Sequence, residues 1–257
     1  MTLSRFTLTG TGTSQGVPVI GCQCVVCKSK DPRDRRYRTA AFIESKSGNI
    51  AIDVGPDFRQ QMLSVDARSL DAILITHEHN DHIAGLDDVR PFNFRQNSKM
   101  KVFTLPRVAK DIRSRFSYIF AEEPYPGAPR ISIQEIEPYQ SIRVGEIEIL
   151  PLSVLHGNLE VLAFQIKDLV YITDANSIPP KTMTQIKGTK TLILNALHHR
   201  KHYSHFNLTE AIAMAQKIGA SQTYLTHVSH DMGLYHEITP KLPEHIHLAY
   251  DGLSIEL

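Results

Sequence analysis

Three histidines and one aspartate lie within six residues, in a segment that reads H-x-H-x-D-H. They are His77, His79, Asp81 and His82, and they directly follow an apolar run at residues 72–75. Imidazole and carboxylate groups are natural ligands of zinc, manganese and iron. Alternating side chains let the first two histidines face one centre while the last two donors reach a second. A solvated loop is the simpler alternative, but so dense a set of donors favours a turn that holds two metals.

More metal-capable side chains follow other apolar runs. They are His156, Asp174 and His227. Strand ends gathered at one edge of a core are common places for functional sites. Each residue alone would more simply be a cap or turn residue. Together with the first segment they give seven donors, enough for two metals that keep positions open for water and substrate.

Composition narrows the classes of function. The chain has 257 residues and a net charge of +1, from 28 basic and 27 acidic side chains. This balance gives no overall attraction to nucleic acid or to a membrane surface. We find no apolar run long enough to span a bilayer and no signal peptide, so we expect a cytoplasmic protein. Since repeats and linkers are also absent, residues 1–257 read as one domain.

Short β-branched runs separated by turn residues predict a chain made mostly of strands, with helices interspersed and collected late. The predicted strands span residues 2–8, 40–44, 50–54, 72–76, 101–104, 131–136, 141–144, 146–151, 161–166, 169–173, 191–195, 222–226, 247–249 and 254–256. The predicted helices span residues 57–65, 106–116, 180–187 and 208–218. In the last helix, Asn207 and Glu210 form a capping box and Gly219 ends the helix. The pattern favours sheets packed on each other with helices outside.

The seven donors, in this order, resemble the metal ligands of the metallo-β-lactamase superfamily. The resemblance covers essentially the whole chain and implies an α+β fold, a four-layer αββα sandwich with a dinuclear site along one edge of its paired sheets. It assigns the ligands as follows: His77, His79 and His156 for one metal, Asp81, His82 and His227 for the other, and Asp174 as the bridge.

The three cysteines form a second candidate site. Cys22, Cys24 and Cys27 are an odd, tightly clustered set, which is not a disulfide framework. Three thiolates need a fourth ligand for tetrahedral zinc, and His230, three residues after His227, is the candidate. Free buried cysteines are the alternative. The spacing favours a structural zinc site.

The glycine-rich segment at residues 9–18 reads G-x-G-x-x-x-G. The cysteine segment follows it where a dinucleotide-binding loop would need a helix. We therefore interpret it as a tight turn that borders the metal site.

Together, the glycine-rich turn, C-x-C-x-x-C, H-x-H-x-D-H and H-x-x-H resemble the PhnP-like cyclic phosphodiesterase branch known from carbon–phosphorus lyase pathways. The resemblance implies two manganese or zinc ions in the active site, one structural zinc and a homodimer. It also implies a further catalytic histidine just before a late helix, at His205. His198, His199 and His202 lie in the same loop and compete for this role.

The expected reaction is hydrolysis of a small, cyclic phosphodiester by hydroxide generated at the dinuclear site. Asp81 would orient the hydroxide, and His205 would protonate the departing alkoxide or hold the phosphate. A pyrroloquinoline-quinone-biosynthesis-like cofactor protein is the main rival, but the intact donor set favours hydrolysis. A transfer-RNA-processing nuclease would need a basic arm, and the balanced charge argues against extended nucleic acid. A lactonase or thioesterase is the remaining alternative.

Overall fold

A computed structural model describes residues 4–257 as two mixed sheets of seven strands each. The first sheet has the spatial order β14 (Ser254–Glu256), β1 (Arg5–Gly10), β2 (Ala40–Glu44), β3 (Ile50–Ile52), β4 (Ala72–Leu74), β5 (Met100–Thr104) and β6 (Ile131–Glu135). The second has the order β13 (Ile246–Leu248), β12 (Gln222–Thr226), β11 (Thr191–Asn195), β10 (Leu169–Ile172), β9 (Leu159–Ile166), β8 (Ile147–His156) and β7 (Ile142–Val144). Each sheet is antiparallel at one side and parallel at the other.

Helices cover the outer faces of both sheets. The α-helices of the described residues are α1 (Phe58–Ser64), α2 (Asn80–Ile83), α3 (Arg90–Gln96), α4 (Pro106–Arg115), α5 (Pro180–Ile186), α6 (Leu208–Ile218) and α7 (Tyr235–Ile238). Short 3₁₀ helices span Pro32–Asp34, Ala84–Val89, Ser117–Ile119, His230–Met232 and Thr239–Lys241. Apolar side chains of α1, α3 and α4 join the core of the first sheet, and those of α5 and α6 pack on the second. The α+β, four-layer αββα prediction is confirmed.

The layer between the sheets is apolar. Phe6 of β1 and Tyr171 of β10 are fully buried there, with ring centroids 5.9 Å apart. Removing such side chains from water is the main force that holds two sheets face to face. The sheets therefore act as a rigid base for the loops that follow their strands.

Parallel pairing decides where those loops meet. Strands β3 and β4 run parallel in the first sheet, and β10, β11 and β12 run parallel in the second. Because the carboxyl ends of parallel strands lie at the same edge of a sheet, residues that follow them gather at that edge. His156 is the last residue of β8, and Asp174 and His227 follow β10 and β12.

Several predictions about the elements differ from the structure, most of them by one or two residues at an element's end. Strand β1 spans Arg5–Gly10 instead of residues 2–8, of which residues 2 and 3 lie outside the described part. Strand β8 continues past the predicted end at residue 151 to His156. Pro151 is tolerated within it because β7 pairs with β8 only as far as Ile149, so the N–H that proline lacks is not needed by a neighbouring strand.

Helices α2 and α7 were not predicted, since four residues are too few to show a helical period. The acidic pair Asp87 and Asp88 indicates a helix start, and in the structure a 3₁₀ helix at this point leads into α3. Helices are interspersed among the strands as predicted, but they are not collected late, since α1 to α4 all precede β6.

The best-defined helix signal was correct. Asn207 accepts a hydrogen bond from the Glu210 amide, the Glu210 side chain accepts one from the Asn207 amide, and Gly219 ends α6 at φ 73°. Within residues 4–257, none of the helices combines the length and apolar character needed to cross a lipid bilayer.

Candidate metal centre

The seven predicted donors lie together at one edge of the two sheets. Their donor atoms fall into overlapping groups, each within 4.8 Å: His77, His79 and His156; His77, His82 and Asp174; and Asp81, His82 and His227. The first two histidines come from the loop after β4, and the next two donors from the first turn of α2. Because the groups share members, we call all seven residues the His/Asp cluster.

Hydrogen bonds fix three imidazoles of this cluster in one tautomer. The Nδ1 atoms of His77, His82 and His156 lie 2.9, 2.7 and 2.9 Å from the Thr76 hydroxyl, an Asp53 oxygen and the Ser204 carbonyl. Each of these oxygens can accept from an Nδ1–H, which leaves the lone pair on Nε2 free. Metal-binding histidines are oriented in this way.

The free nitrogens fit a metal. Among the described residues, the Nε2 atoms of His77, His82 and His227 are buried and make no hydrogen bond of good geometry. The last two nevertheless lie 3.2 and 3.0 Å from oxygens of Asp81 and Asp174, an arrangement in which a shared cation would fit. Buried polar atoms without partners are rare and call for an explanation. Three such lone pairs beside two carboxylates form a donor set that divalent zinc or manganese would satisfy.

Charge in the cluster also favours cations. Burial alone would lower the pKa of His82, but the carboxylates of Asp81, Asp53 and Asp174 raise it well above its usual value. These carboxylates therefore favour a cation at His82 Nε2, and a metal ion would take the place of the second proton. Burial opposes ionisation of Asp174, yet His227 and His82 hold its pKa well below the usual range. Three carboxylates packed around these imidazoles stabilise positive charge at this point.

Asp53 is the residue that the sequence reading missed. Its carboxylate accepts from His82 Nδ1 at 2.7 Å and from the Thr76 amide and hydroxyl, each at 2.9 Å. Through Thr76 it also supports His77. Asp53 directly follows the buried strand β3, the kind of position that identified Asp174 as a candidate. The predicted strand 50–54 contained Asp53 and so concealed this signal. Asp53 therefore orients two of the donors from behind.

The backbone is strained where the donors leave the strands. Asp53, Asp174 and His227 have φ values of 61°, 55° and 54°. Residues other than glycine seldom adopt this left-handed region, and such outliers gather at functional sites. The surrounding sheets hold these three side chains in place at a conformational cost.

His205 contacts the cluster directly. Its Nε2 lies 3.0 Å from Asp174 Oδ1, and its Nδ1 lies 3.1 Å from His202 Nδ1. Burial lowers the pKa of His205 to about 4, although the hydrogen bond to Asp174 opposes this. His199 instead places its Nε2 2.8 Å from the Met232 carbonyl, which turns it away. Of these candidates, His205 is the one that touches a predicted metal donor.

The three cysteines meet His230, and we call these four residues the Cys/His cluster. The sulfur atoms of Cys22, Cys24 and Cys27 lie 3.4, 3.4 and 3.5 Å from His230 Nδ1. The amide N–H of Cys27, with help from His230, lowers the pKa of the Cys24 thiol to about 6. Three thiols and one imidazole form the donor set of a closed tetrahedral zinc site.

The glycine-rich turn joins the two clusters. Its Thr13 amide donates to the Val228 carbonyl at 3.1 Å, and the Val228 amide donates to Thr11 at 2.8 Å. A Cβ on Gly12 would lie 2.9 Å from the Tyr37 carbonyl oxygen, so only glycine fits without a shift. Since Val228 follows His227, this turn holds the segment from which both clusters take a histidine.

Comparison with known proteins agrees with this geometry. Residues 48–228 match the model of the Beta-lactamase superfamily domain. The chain belongs to the metallo-β-lactamase superfamily. It is also 36% identical to a crystallised diphosphatase from the PhnP family, with a TM-score of 0.93 over 99% of this chain and 97% of that one. The predicted PhnP-like resemblance is thus confirmed, and membership of this family supports a hydrolase.

Two further relatives bear on the alternatives. The Zn²⁺-bound PqqB of Methylobacterium extorquens has a TM-score of 0.82 over 98% of this chain and all of its own, but at 16% identity it shows the fold alone. An octanoyltransferase of Porphyromonas gingivalis is 40% identical over 252 residues, which make up 97% of this chain. This chain spans only 51% of that relative's length.

Proposed function

We propose that this chain is a metal-dependent phosphodiesterase that hydrolyses small, cyclic phosphodiesters. The observation that carries the proposal is the His/Asp cluster, with unpartnered Nε2 atoms and with His205 against Asp174. The likeness to a PhnP-family diphosphatase supports a substrate that contains phosphorus. The small net charge supports a small substrate in preference to extended nucleic acid.

The donors divide between two proposed metals and one structural zinc. One metal would take His77, His79 and His156, the other Asp81, His82 and His227, with Asp174 shared and the zinc in the Cys/His cluster. When bound, manganese or zinc ions at the His/Asp cluster would activate water and neutralise charge on the phosphate.

The protein's own groups would do the rest. Asp81 would accept a hydrogen bond from the attacking water and so orient it. His205 would present an N–H to the phosphate or to the leaving oxygen. An approaching phosphate would favour the protonated form of His205, because a nearby negative charge raises an imidazole pKa. The supporting residue Asp53 would keep the donors at fixed positions, so that little reorganisation is needed during the reaction.

Acyl transfer is the rival suggested by the octanoyltransferase relative. Acyl transfer through a covalent enzyme intermediate often uses a cysteine or lysine nucleophile. All three cysteines of this chain belong to the Cys/His cluster, which leaves no thiol for the His/Asp cluster. We therefore propose that this chain corresponds to a hydrolytic part of that relative, and that its transferase activity belongs to the half that this chain does not match.

Turnover of bis(p-nitrophenyl) phosphate by metal-replete protein tests the proposal. Asp174→Ala should abolish it, with a loss of at least about a thousandfold, since the shared ligand is removed. Asp66→Ala, a change of an exposed carboxylate, is the matched control and should retain full activity. If protein with its full metal content shows no turnover, a carbon-centred substrate or a cofactor role becomes the better interpretation.

A further inference from the structure

A groove on the outer face of the first sheet has no role in the proposed reaction. Its volume is about 750 Å³, and it lies over β1 and β14, between the end of α1 and the segment at residues 32–37. Small-molecule sites usually have volumes of about 300–1,000 Å³. Phe6 and Leu8 of β1 face the core, so the alternation of side chains along a strand directs Thr7 and Thr9 into this groove.

Arg36 is a buried cation in the wall of this groove. The residue is only 5% exposed, and Nη1 donates to the Thr11 hydroxyl at 2.7 Å and to the Ala249 carbonyl at 2.5 Å. Burial lowers the pKa of Arg36, and the carboxylates of Asp251 and Asp34 oppose this only from a distance. A guanidinium carries five N–H donors in a planar fork. Since the two on Nη1 are used, those on Nε and Nη2 remain available to a ligand.

Hydroxyl groups add further donors to the groove. Thr9 is 2% exposed, and its hydroxyl has no hydrogen-bond partner among the described residues. Buried polar groups rarely remain unpaired. Beside it, the hydroxyls of Thr7 and Ser254 lie 2.9 Å apart, so one donates to the other and the second proton is free to point outward. Strands β1 and β14 thus turn hydroxyl donors toward the space that Arg36 lines.

The uncompensated charge in the groove is positive. Among the other charged residues of its wall, Arg5 and Asp66 are each engaged in an ion pair with a neighbour outside the groove. Asp251 gives both of its oxygens to hydrogen bonds from the protein. Arg35 is exposed and has no ion pair within residues 4–257. Arg35 and Arg36 together outweigh Asp251, which favours an anionic ligand.

We propose that this groove is a binding site for a small phosphomonoester, separate from the His/Asp cluster, with which it shares no residue. A phosphate group offers three acceptor oxygens, which match the free side of the Arg36 fork together with the hydroxyls of β1 and β14. A carboxylate has only two oxygens and would leave part of this donor set unused. Val17, Val65 and the Tyr37 ring provide apolar wall for the organic part.

A bound phosphate would also stabilise the turn that joins the two clusters. Arg36 holds the Thr11 hydroxyl, and the Thr11 carbonyl accepts from the amide of Val228, next to His227. An anion beside the buried guanidinium offsets the cost of its desolvation. Because a ligand that binds only the folded state raises stability, the phosphomonoester should raise the melting temperature.

Calorimetric titration of metal-replete protein with glycerol 3-phosphate tests the groove. Binding should persist in Asp174→Ala, which disrupts the His/Asp cluster. In that background Thr9→Val should weaken binding about tenfold, because it removes a hydroxyl that bonds to the ligand and to no protein group. Arg36→Lys keeps the charge but loses the fork and should weaken binding by a similar factor. Arg143→Gln, at an exposed ion pair on β7, is the matched control and should change nothing.

Three results would overturn the site. No binding in Asp174→Ala would assign all phosphate to the His/Asp cluster, and unchanged affinity in Thr9→Val would reject the groove. An equal loss in Arg143→Gln would indicate only a general attraction of anions to surface charge. Thr9→Val alone decides if Arg36→Lys does not fold. Titration with glycerate then tests the head group: weaker binding than glycerol 3-phosphate supports a phosphomonoester, whereas equal or tighter binding rejects it in favour of a carboxylate.

Discussion

The two donor clusters of this molecule are built in opposite ways. The His/Asp cluster draws on residues from His77 to His227, which leave strands of both sheets, and most of its side chains are buried. The Cys/His cluster takes three donors from the six residues Cys22 to Cys27 and adds only His230. The first site therefore depends on the packed sheets, whereas the second organises a loop that has little core of its own. Changes in the first should lower activity, and changes in the second should lower stability.

The largest expected effect is on stability, at the Cys/His cluster. Cys24→Ser should release one metal per chain and lower the free energy of unfolding by roughly 3–5 kcal/mol, since structural zinc binding contributes directly to folding. Metal analysis and thermal unfolding would measure both changes. Val25→Ser changes an exposed neighbour in the same loop and should alter neither. Unchanged metal content and melting temperature in Cys24→Ser would show that these are simply free cysteines.

The next effect is on catalysis, at the His/Asp cluster. His205→Ala should lower kcat about a hundredfold and leave metal content and stability intact, because a group that donates a proton or hydrogen bond to the substrate is lost. His199→Ala, in the same loop but turned away, is the matched control and should stay within about twofold of wild type. Near-normal turnover in His205→Ala would remove this residue from the mechanism. Loss of metal would instead make it a ligand, which its position beside His156 and Asp174 allows.

The contrast between a local cluster and a dispersed one also explains which donors could be predicted from the sequence. The Cys/His cluster and the H-x-H-x-D-H segment are dense local patterns, so their spacing alone was informative. His156, Asp174 and His227 were predicted only because each follows an apolar strand. Which donors come together depends on the parallel pairing of β10, β11 and β12, and that pairing is a property of the sheet.

The sequence did not identify every functional residue that stands outside a dense local pattern. Asp53 fell inside the predicted strand 50–54, and its role becomes visible only when the fold brings His82 and Thr76 to it. Secondary structure was most predictable where local chemistry decides it, as in the capping box of α6. It was least predictable for helices of a single turn.

A smaller effect is expected at Asp53, the carboxylate that supports the His/Asp cluster, and it tests whether the two clusters bind metal independently. Asp53→Asn should weaken metal binding at the His/Asp cluster by about 10- to 100-fold, because a neutral amide has one acceptor oxygen and cannot accept from both His82 and the Thr76 amide. Metal titration should show this loss with the Cys/His metal still in place. Asp66→Asn, at an exposed ion pair, should bind both kinds of metal as wild type does. Equal weakening at both clusters in Asp53→Asn would mean that the two sites are not independent.

The smallest expected effect concerns the turn that joins the clusters. Asp251 accepts from the Thr11 hydroxyl at 2.7 Å and from the Tyr37 amide at 2.6 Å, and burial raises its pKa from 3.8 to about 6. The folded state therefore holds this proton more tightly than the unfolded chain. The resulting stability is fully present below pH 3.8 and is lost as the pH rises through about 6.

Asp251→Asn removes this titration. As the pH rises from 4 to 7, the free energy of unfolding of the variant should increase relative to that of wild type by about 2 kcal/mol. This is less than the full value of about 1.4 kcal/mol per unit of pKa shift, because the carboxyl keeps some contact with water. Chemical unfolding across this pH range measures the difference. The free energy of unfolding of Asp66→Asn should show the same pH dependence as that of wild type. A constant difference would mean that the carboxyl is already charged in the fold, stabilised by the buried Arg36, which donates to Thr11 at 2.7 Å. An ion pair bridged by Thr11 would then hold the turn between the two clusters.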